Sequence, residues 1–246
     1  MLNLRKILLF FIIIVLFSSM NIANAFDVDL KQWTFYSTEK RNMPMYVANI
    51  SDKPLALQIK IYTREFNVEG EEFLTGIYPD IEVLPSNVLV NANSKSLVTL
   101  LWTGKMPKEE VPLRIVVTQL PIDFGYNDSS SLKMMFESVK TLYIKPPNSK
   151  PDMKLISYEW DSKEQMLYVL VENKGTASLF SDYWEIKLDD KLINVYPYDD
   201  VKDIVFGKTS QANFLAGEIR RIPIQIVSDK PLLSVNKVEL VEIHKE

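Results

Sequence analysis

The chain of 246 residues has no cysteine, one histidine and only seven glycines. Without cysteine it can build neither disulfides nor thiolate metal sites, and it has no thiol nucleophile. Its lone imidazole, His244, cannot assemble a histidine-based triad or a multi-imidazole metal centre. So few glycines leave no glycine-rich loop to cradle a phosphate. A basic surplus is also missing: 28 Lys and Arg stand against 32 Asp and Glu, so no nucleic-acid footprint is expected. The acidic clusters are Asn67-Val68-Glu69-Gly70-Glu71-Glu72, Asp189-Asp190 and Asp199-Asp200. They read as solvated turns rather than calcium ligands, and no spacing marks a glycosidase pair. No catalytic residue, metal or cofactor is expected, and the chain does not read as an enzyme.

Long apolar runs are scarce too, and the only one opens the chain. Arg5 and Lys6 precede eleven apolar residues from Ile7 to Phe17, and Ala23-Asn24-Ala25 follows. Eleven is short of the roughly 20 residues a spanning helix needs. The three-part pattern is that of a secretory signal peptide at residues 1–25, cleaved before Phe26. The remaining 221 residues carry a net charge near −6 and are expected to be exported without stable membrane insertion. The brief signal and the Lys- and Asn-rich composition suggest a bacterial envelope, which places the chain in the periplasm.

Apolar and β-branched runs of about four to ten residues fill the rest, separated by turn-forming clusters. A first set of expected strands covers 45–50, 55–63, 88–91, 96–102, 113–120 and 132–144. The second covers 154–160, 166–172, 184–188, 193–198, 219–227 and 238–244. Asn49-Ile50-Ser51-Asp52, Asn91-Ala92-Asn93-Ser94 and Asn173-Lys174-Gly175 supply turns between them. No helical period persists beyond two turns. This spacing predicts an all-β fold of two immunoglobulin-like β-sandwich domains at an angle. The break falls at Pro146-Pro147-Asn148-Ser149-Lys150-Pro151, read as a stiff, extended joint. The domains are then 26–147 and 148–246.

The stretch SLKMMFESVKTLYIKP, residues 131–146, sets Leu132, Met134 and Phe136 at two-residue spacing. On a strand these three share one face. From the residues alone, that face is either the core side of a sheet or one kept for another chain.

Two longer stretches, IYPDIEVLPSNVLVNANSKSLVTLLW and EEVPLRIVVTQLPI, resemble the first domain of periplasmic pilus-assembly chaperones. Glu110 and Arg114 stand at that family's acidic and basic places, and Gln119-Leu120-Pro121 at its strand end. VENKGTASLF and AGEIRRIPI are similar to the second domain's Asn-x-Gly turn and its late Gly-then-Arg strand. The chain departs from the pattern at Asn91-Ala92-Asn93, at Thr99 and at Pro112-Leu113.

The resemblance implies a function. In that family the last strand of the first domain inserts bulky residues into a pilin subunit lacking one strand, a donor-strand form of strand addition. The matching donors are Leu132, Met134 and Phe136, and the polar residues 122–131 match a long loop before the donor strand. The family also clamps the subunit's terminal carboxylate with two basic residues. The aligned position on the last strand is Thr141, so Lys31 and Lys140 are the nearest candidates. The expected partners are pilin or fimbrial subunits and an outer-membrane usher. The alternative is an exported immunoglobulin-like structural or adhesive module that self-associates, through the same strand, without client delivery.

Overall fold

The computed structural model of the chain describes residues 26–30, 33–36, 40–122, 135–180, 184–189, 191–193, 213–226 and 232–242. The signal segment, Lys31, Leu132, Met134, the loop residues 123–131, Asp190, Asp199-Asp200 and His244 lie outside them.

Alternation of side chains dictates most of what is seen. FDVDL places Phe26, Val28 and Leu30 in the core and both aspartates in solvent. NMPMYVAN and IRRIPIQ alternate in the same way. A strand that buries one face and wets the other fixes its own register, because a one-residue slip would expose every buried side chain. The described residues are accordingly all-β, without a helix.

The first half contains β1 (Phe26–Leu30), β2 (Thr34–Phe35), β3 (Asn42–Asn49), β4 (Leu55–Phe66) and β5 (Glu72–Ile77). It continues with β6 (Ile81–Leu84), β7 (Asn87–Val90), β8 (Lys95–Trp102), β9 (Val111–Gln119) and β10 (Glu137–Ile144). One sheet runs β1-β3-β8-β6; the other runs β2-β10-β9-β4-β5, with β7 also on β4. Their inner faces meet in a core that includes Phe35, Met45, Leu57, Ile61, Leu100, Trp102, Leu113 and Leu142. Each such side chain withdrawn from water is worth about 1.5–3 kcal/mol.

The second half holds β11 (Met153–Asp161), β12 (Met166–Asn173), β13 (Leu179–Phe180), β14 (Trp184–Leu188) and β15 (Lys191–Ile193). β16 (Asn213–Phe214), β17 (Ile219–Gln225) and β18 (Val238–Glu242) complete it. Sheets β11-β12-β17 and β15-β14-β18 enclose a separate core around Leu167, Val169, Val171, Ile186, Phe214 and Ile222. The molecule is thus two immunoglobulin-like β-sandwiches, each with its own core.

Most of the expected strands recur, with β4 three residues longer at its C-terminal end; of the expected strand 132–144 the described part is β10 from Glu137, and of 193–198 only Ile193, the end of β15, is described. β1, β2, β5, β6, β13 and β16 were not among the expected strands. β5, with the sequence EFLTGI, lacks an alternating pattern because nearly all of it is exposed. The proline joint also differs from expectation. It turns at Pro147-Asn148, where Asn148 adopts a φ of 63°. The Ser149 hydroxyl donates to the Pro146 carbonyl at 2.8 Å and holds that turn.

Candidate functional site

Two features of the first sandwich meet at the junction of the two halves. The first is an open sheet edge. β10 pairs with β9 along its whole length, from Glu137↔Thr118 to Ile144↔Val111. Its other edge carries β2 only at Tyr143 and Ile144. From Glu137 to Leu142 that side therefore has no strand partner among the described residues. Such an edge presents backbone donors and acceptors to any extended chain laid beside it.

The second feature is a cluster of arginines on the outer face of the same sheet. Arg64 on β4 and Arg114 on β9 project to that face, while their neighbours Thr63 and Leu113 pair with each other across the ladder. Arg114 donates through Nε and Nη2 to the two carboxylate oxygens of Glu72 on β5, each at 2.6 Å. Its Nη1 donates to the hydroxyl of Thr141, its register partner on β10. This planar fork holds a carboxylate by two charge-assisted hydrogen bonds.

Arg64 is 3% exposed, and its Nε has no hydrogen-bond partner among the described residues. That nitrogen is 3.9 Å from the same Glu72 oxygen. Burial pulls the Arg64 guanidinium below its usual range, and the neighbouring Arg114 adds to the effect. Two cations thus share one carboxylate in a half-dry place, an excess of positive charge that suits an anion. Burial alone would push Glu72 up, yet the hydrogen bonds and charges of Arg114 and Arg64 hold it below the usual carboxylate range.

The second sandwich closes this face from below. Asn213 donates to the Tyr143 hydroxyl at 2.6 Å, and burial pushes that phenol up. Asn213 Oδ1 is buried without a hydrogen-bond partner among the described residues. Arg220 is buried, paired with Glu218, and lies between the rings of Phe66 and Phe214. The turn joining β4 to β5 reaches across, so that the Val68 carbonyl accepts from the Arg221 amide at 2.7 Å. Gly70 in that turn adopts a φ of +82° and packs on the Arg220 side chain, so a side chain there would be strained. Glu110 ties the halves on the other side, accepting from the Ser178 amide at 3.1 Å and pairing with Lys145 at 3.6 Å.

Of the residues expected to act, the structure describes Phe136 and Lys140. Phe136 is half-buried against the first core, on the face that buries Leu142 and Ile144 farther along. The exposed apolar residues here are Met135 and Val139, on the other face. Lys140 pairs with Ile115, and the β9–β10 register runs without a bulge. Lys140 therefore faces away from Thr141 and Arg114. Arg64 and Glu72 were not anticipated. The turn 67–71 is the hairpin tip it was read as, closed by Asn67 hydrogen bonds to Glu71. Glu72, placed in the same solvated cluster, instead forks onto Arg114.

Comparison with solved structures now fixes the fold. A chain of the CsuC–CsuE chaperone–tip adhesion subunit complex from Acinetobacter baumannii pili matches with a TM-score of 0.55. The match is 14% identical over 89% of this chain and 98% of that one. The YadV chaperone aligns at a TM-score of 0.52 and 11% identity, over 88% of this chain and 91% of its own. The Salmonella enterica SafA pilin–SafB chaperone complex gives 0.54 at 13% identity, over 83% and 86%. This is the fold of the chaperone–usher pilus chaperones. No family matches at the level of sequence, and no curated protein does. At such low identity the shared feature is the two-sandwich frame. Among the described residues no helix is long and apolar enough to cross a membrane, and no group of side chains could hold a metal ion.

Proposed function

We propose that this protein is a periplasmic chaperone for pilus or fimbrial subunits, divided into domains 26–147 and 148–246 after removal of a signal peptide. It acts without enzymatic chemistry. A subunit lacking one strand adds the edge of β10 to its sheet, and Leu132, Met134 and Phe136 fill its groove. The capped subunit then passes to an outer-membrane usher. The observation that carries this reading is the half-open edge of β10 beside an arginine-rich junction, in the fold of the pilus chaperones.

The arginines also suggest where a client is anchored. A terminal carboxylate arriving along β10 would reach the level of Thr141, where Arg114 is already positioned and Arg64 lies behind it. Arg114 takes the role for which Lys31 and Lys140 were candidates. A fork is the better device here, because a partly desolvated carboxylate needs fixed donors for both oxygens.

Periplasmic co-expression with a pilin subunit from the same genome, followed by affinity purification, tests this. A stoichiometric complex is expected, weakened by Arg114→Gln and by a C-terminal extension of the subunit that moves its carboxylate. If every such subunit fails to bind while the chain forms oligomers by itself, the self-associating module is the correct reading.

A further inference from the structure

The guanidinium fork of Arg114 already holds a carboxylate, that of Glu72. We propose that Glu72 is an internal stand-in for the client carboxylate, so that clients bind by anion exchange; the idea rests on the anchoring role of Arg114 above. The geometry separates a fixed partner from a replaceable one. Arg64 and Arg114 stand on β4 and β9, the inner strands of the sheet. Glu72 stands at the start of β5, the edge strand, whose remaining residues Phe73 to Ile77 are all exposed. The cations therefore stay in place, whereas the glutamate can turn outward into water.

Charge explains why an exchange is needed. Without Glu72 the cluster would hold two largely buried guanidinium groups facing each other, a costly arrangement in a subunit-free chaperone. With Glu72 in place the free protein is balanced as far as one carboxylate allows, and Arg64 Nε, 3.9 Å from Glu72, still lacks a hydrogen-bond partner among the described residues. An incoming carboxylate replaces one anion by another and leaves the balance unchanged. A neutral chain end has no charge to offer and cannot displace it. The same contact therefore lowers affinity for correct clients and rejects uncharged ends.

The test uses N-acetylalanine as the carboxylate probe and its amide as the neutral control. Each is titrated into the full mature protein while the backbone amide resonance of Thr141, the register partner of Arg114 that is present in every variant, is followed by NMR. Glu72→Gln should bind N-acetylalanine at least about tenfold more tightly than the wild type, because the competing anion is gone. Neither protein should respond to the amide. Glu72→Ser serves as a second variant if Glu72→Gln fails to fold, as judged by circular dichroism. If removing Glu72 leaves N-acetylalanine affinity unchanged or lowers it, or if no protein binds the probe, the exchange idea is overturned. Adding Arg114→Ala to Glu72→Gln separates the two readings. Unchanged probe binding in that double variant would overturn the anchoring role of Arg114 itself, whereas lost binding without a gain from Glu72→Gln alone would overturn only the exchange.

Discussion

Asn49 and Asn173, one in each sandwich, make the same set of hydrogen bonds to residues at the same sequence separations. Asn49 Nδ2 donates to the carbonyls of Lys53, Val90 and Asn91, which lie 4, 41 and 42 residues on. Asn173 Nδ2 donates to Ala177, Phe214 and Leu215, again 4, 41 and 42 residues on. Each Oδ1 accepts from the amide two residues later, of Ser51 and of Gly175. One buried side chain thus replaces water for the backbone of a corner that strand pairing cannot reach. Asn49→Ala and Asn173→Ala should each cost at least about 2 kcal/mol, since buried carbonyls lose their donor and gain nothing in return. Calorimetry of the two variants should show each loss confined to the sandwich that carries the change.

The turn after Asn173 gives a second prediction. A Cβ built on Gly175 would sit 2.3 Å from the Lys150 carbonyl oxygen and 2.5 Å from the Asp152 amide nitrogen. Those atoms belong to the linker between the sandwiches, which is itself bonded to this turn through Lys174 N to Asp152 O at 2.8 Å. Rigid backbone cannot yield as a side-chain tip can. Gly175→Ala should therefore cost on the order of 1–3 kcal/mol. The linker amides should lose hydrogen-exchange protection before the strands of either core do.

Much of this architecture is legible in the sequence, and the reason is local. Alternation in NMPMYVAN and IRRIPIQ reports burial directly, because neighbouring residues on a strand face opposite ways. Asn173-Lys174-Gly175 announces its turn by composition. The arginine cluster is less legible, because its partners meet only through the register of separate strands. Glu72 and Arg114 are 42 residues apart, and nothing in the acidic run Glu69-Gly70-Glu71-Glu72 says that its last member faces a guanidinium. Lys140 illustrates the same point from the other side. It is adjacent to Thr141, yet one step along a strand turns it to the opposite face. β5 escapes a pattern search because an exposed edge strand has no buried face to betray it.

Acid stability should separate the two junction glutamates, because their shifts have opposite signs. Glu72 lies below its ordinary value of 4.5 in the folded protein. On acidification the unfolded chain takes up that proton first, so the stabilisation is present above pH 4.5 and is lost as pH falls through the native value. Glu218 is raised above 4.5, chiefly by burial and against the pull of Arg220. There the folded protein holds the proton longer, and stability falls as pH rises from 4.5 through the native value. Urea unfolding of the wild type and of Glu72→Gln should diverge above pH 4.5 and converge below the native value of Glu72. The difference between the wild type and Glu218→Gln should change only above pH 4.5, with the wild type losing ground as pH rises. Curves that move together in both windows would refute the assignment.

Which face of the last strand enters a client can be decided by two substitutions. Two-residue spacing in the sequence groups Met134 with Phe136, whereas Met135 and Val139 are the exposed apolar residues that the structure describes. Phe136 is half-buried against the first core, while Val139 is 47% exposed beside Val116. A strand that continues past the end of its own sandwich carries its core-side residues out of that sandwich and into the groove of a partner. On the donor-strand proposal, the core-facing stripe of β10 continues in the sequence as the client-facing stripe. Met134→Asp should therefore leave the isolated protein folded by circular dichroism and abolish subunit capture. The carboxylate would be forced into an apolar groove at a cost of about several kcal/mol. Val139→Asp, on the solvent face, should change neither folding nor capture. The opposite result, capture lost with Val139→Asp and retained with Met134→Asp, would assign the client to the other face. If Met134→Asp unfolds the protein on its own, the stripe serves the core and the donor-strand proposal fails.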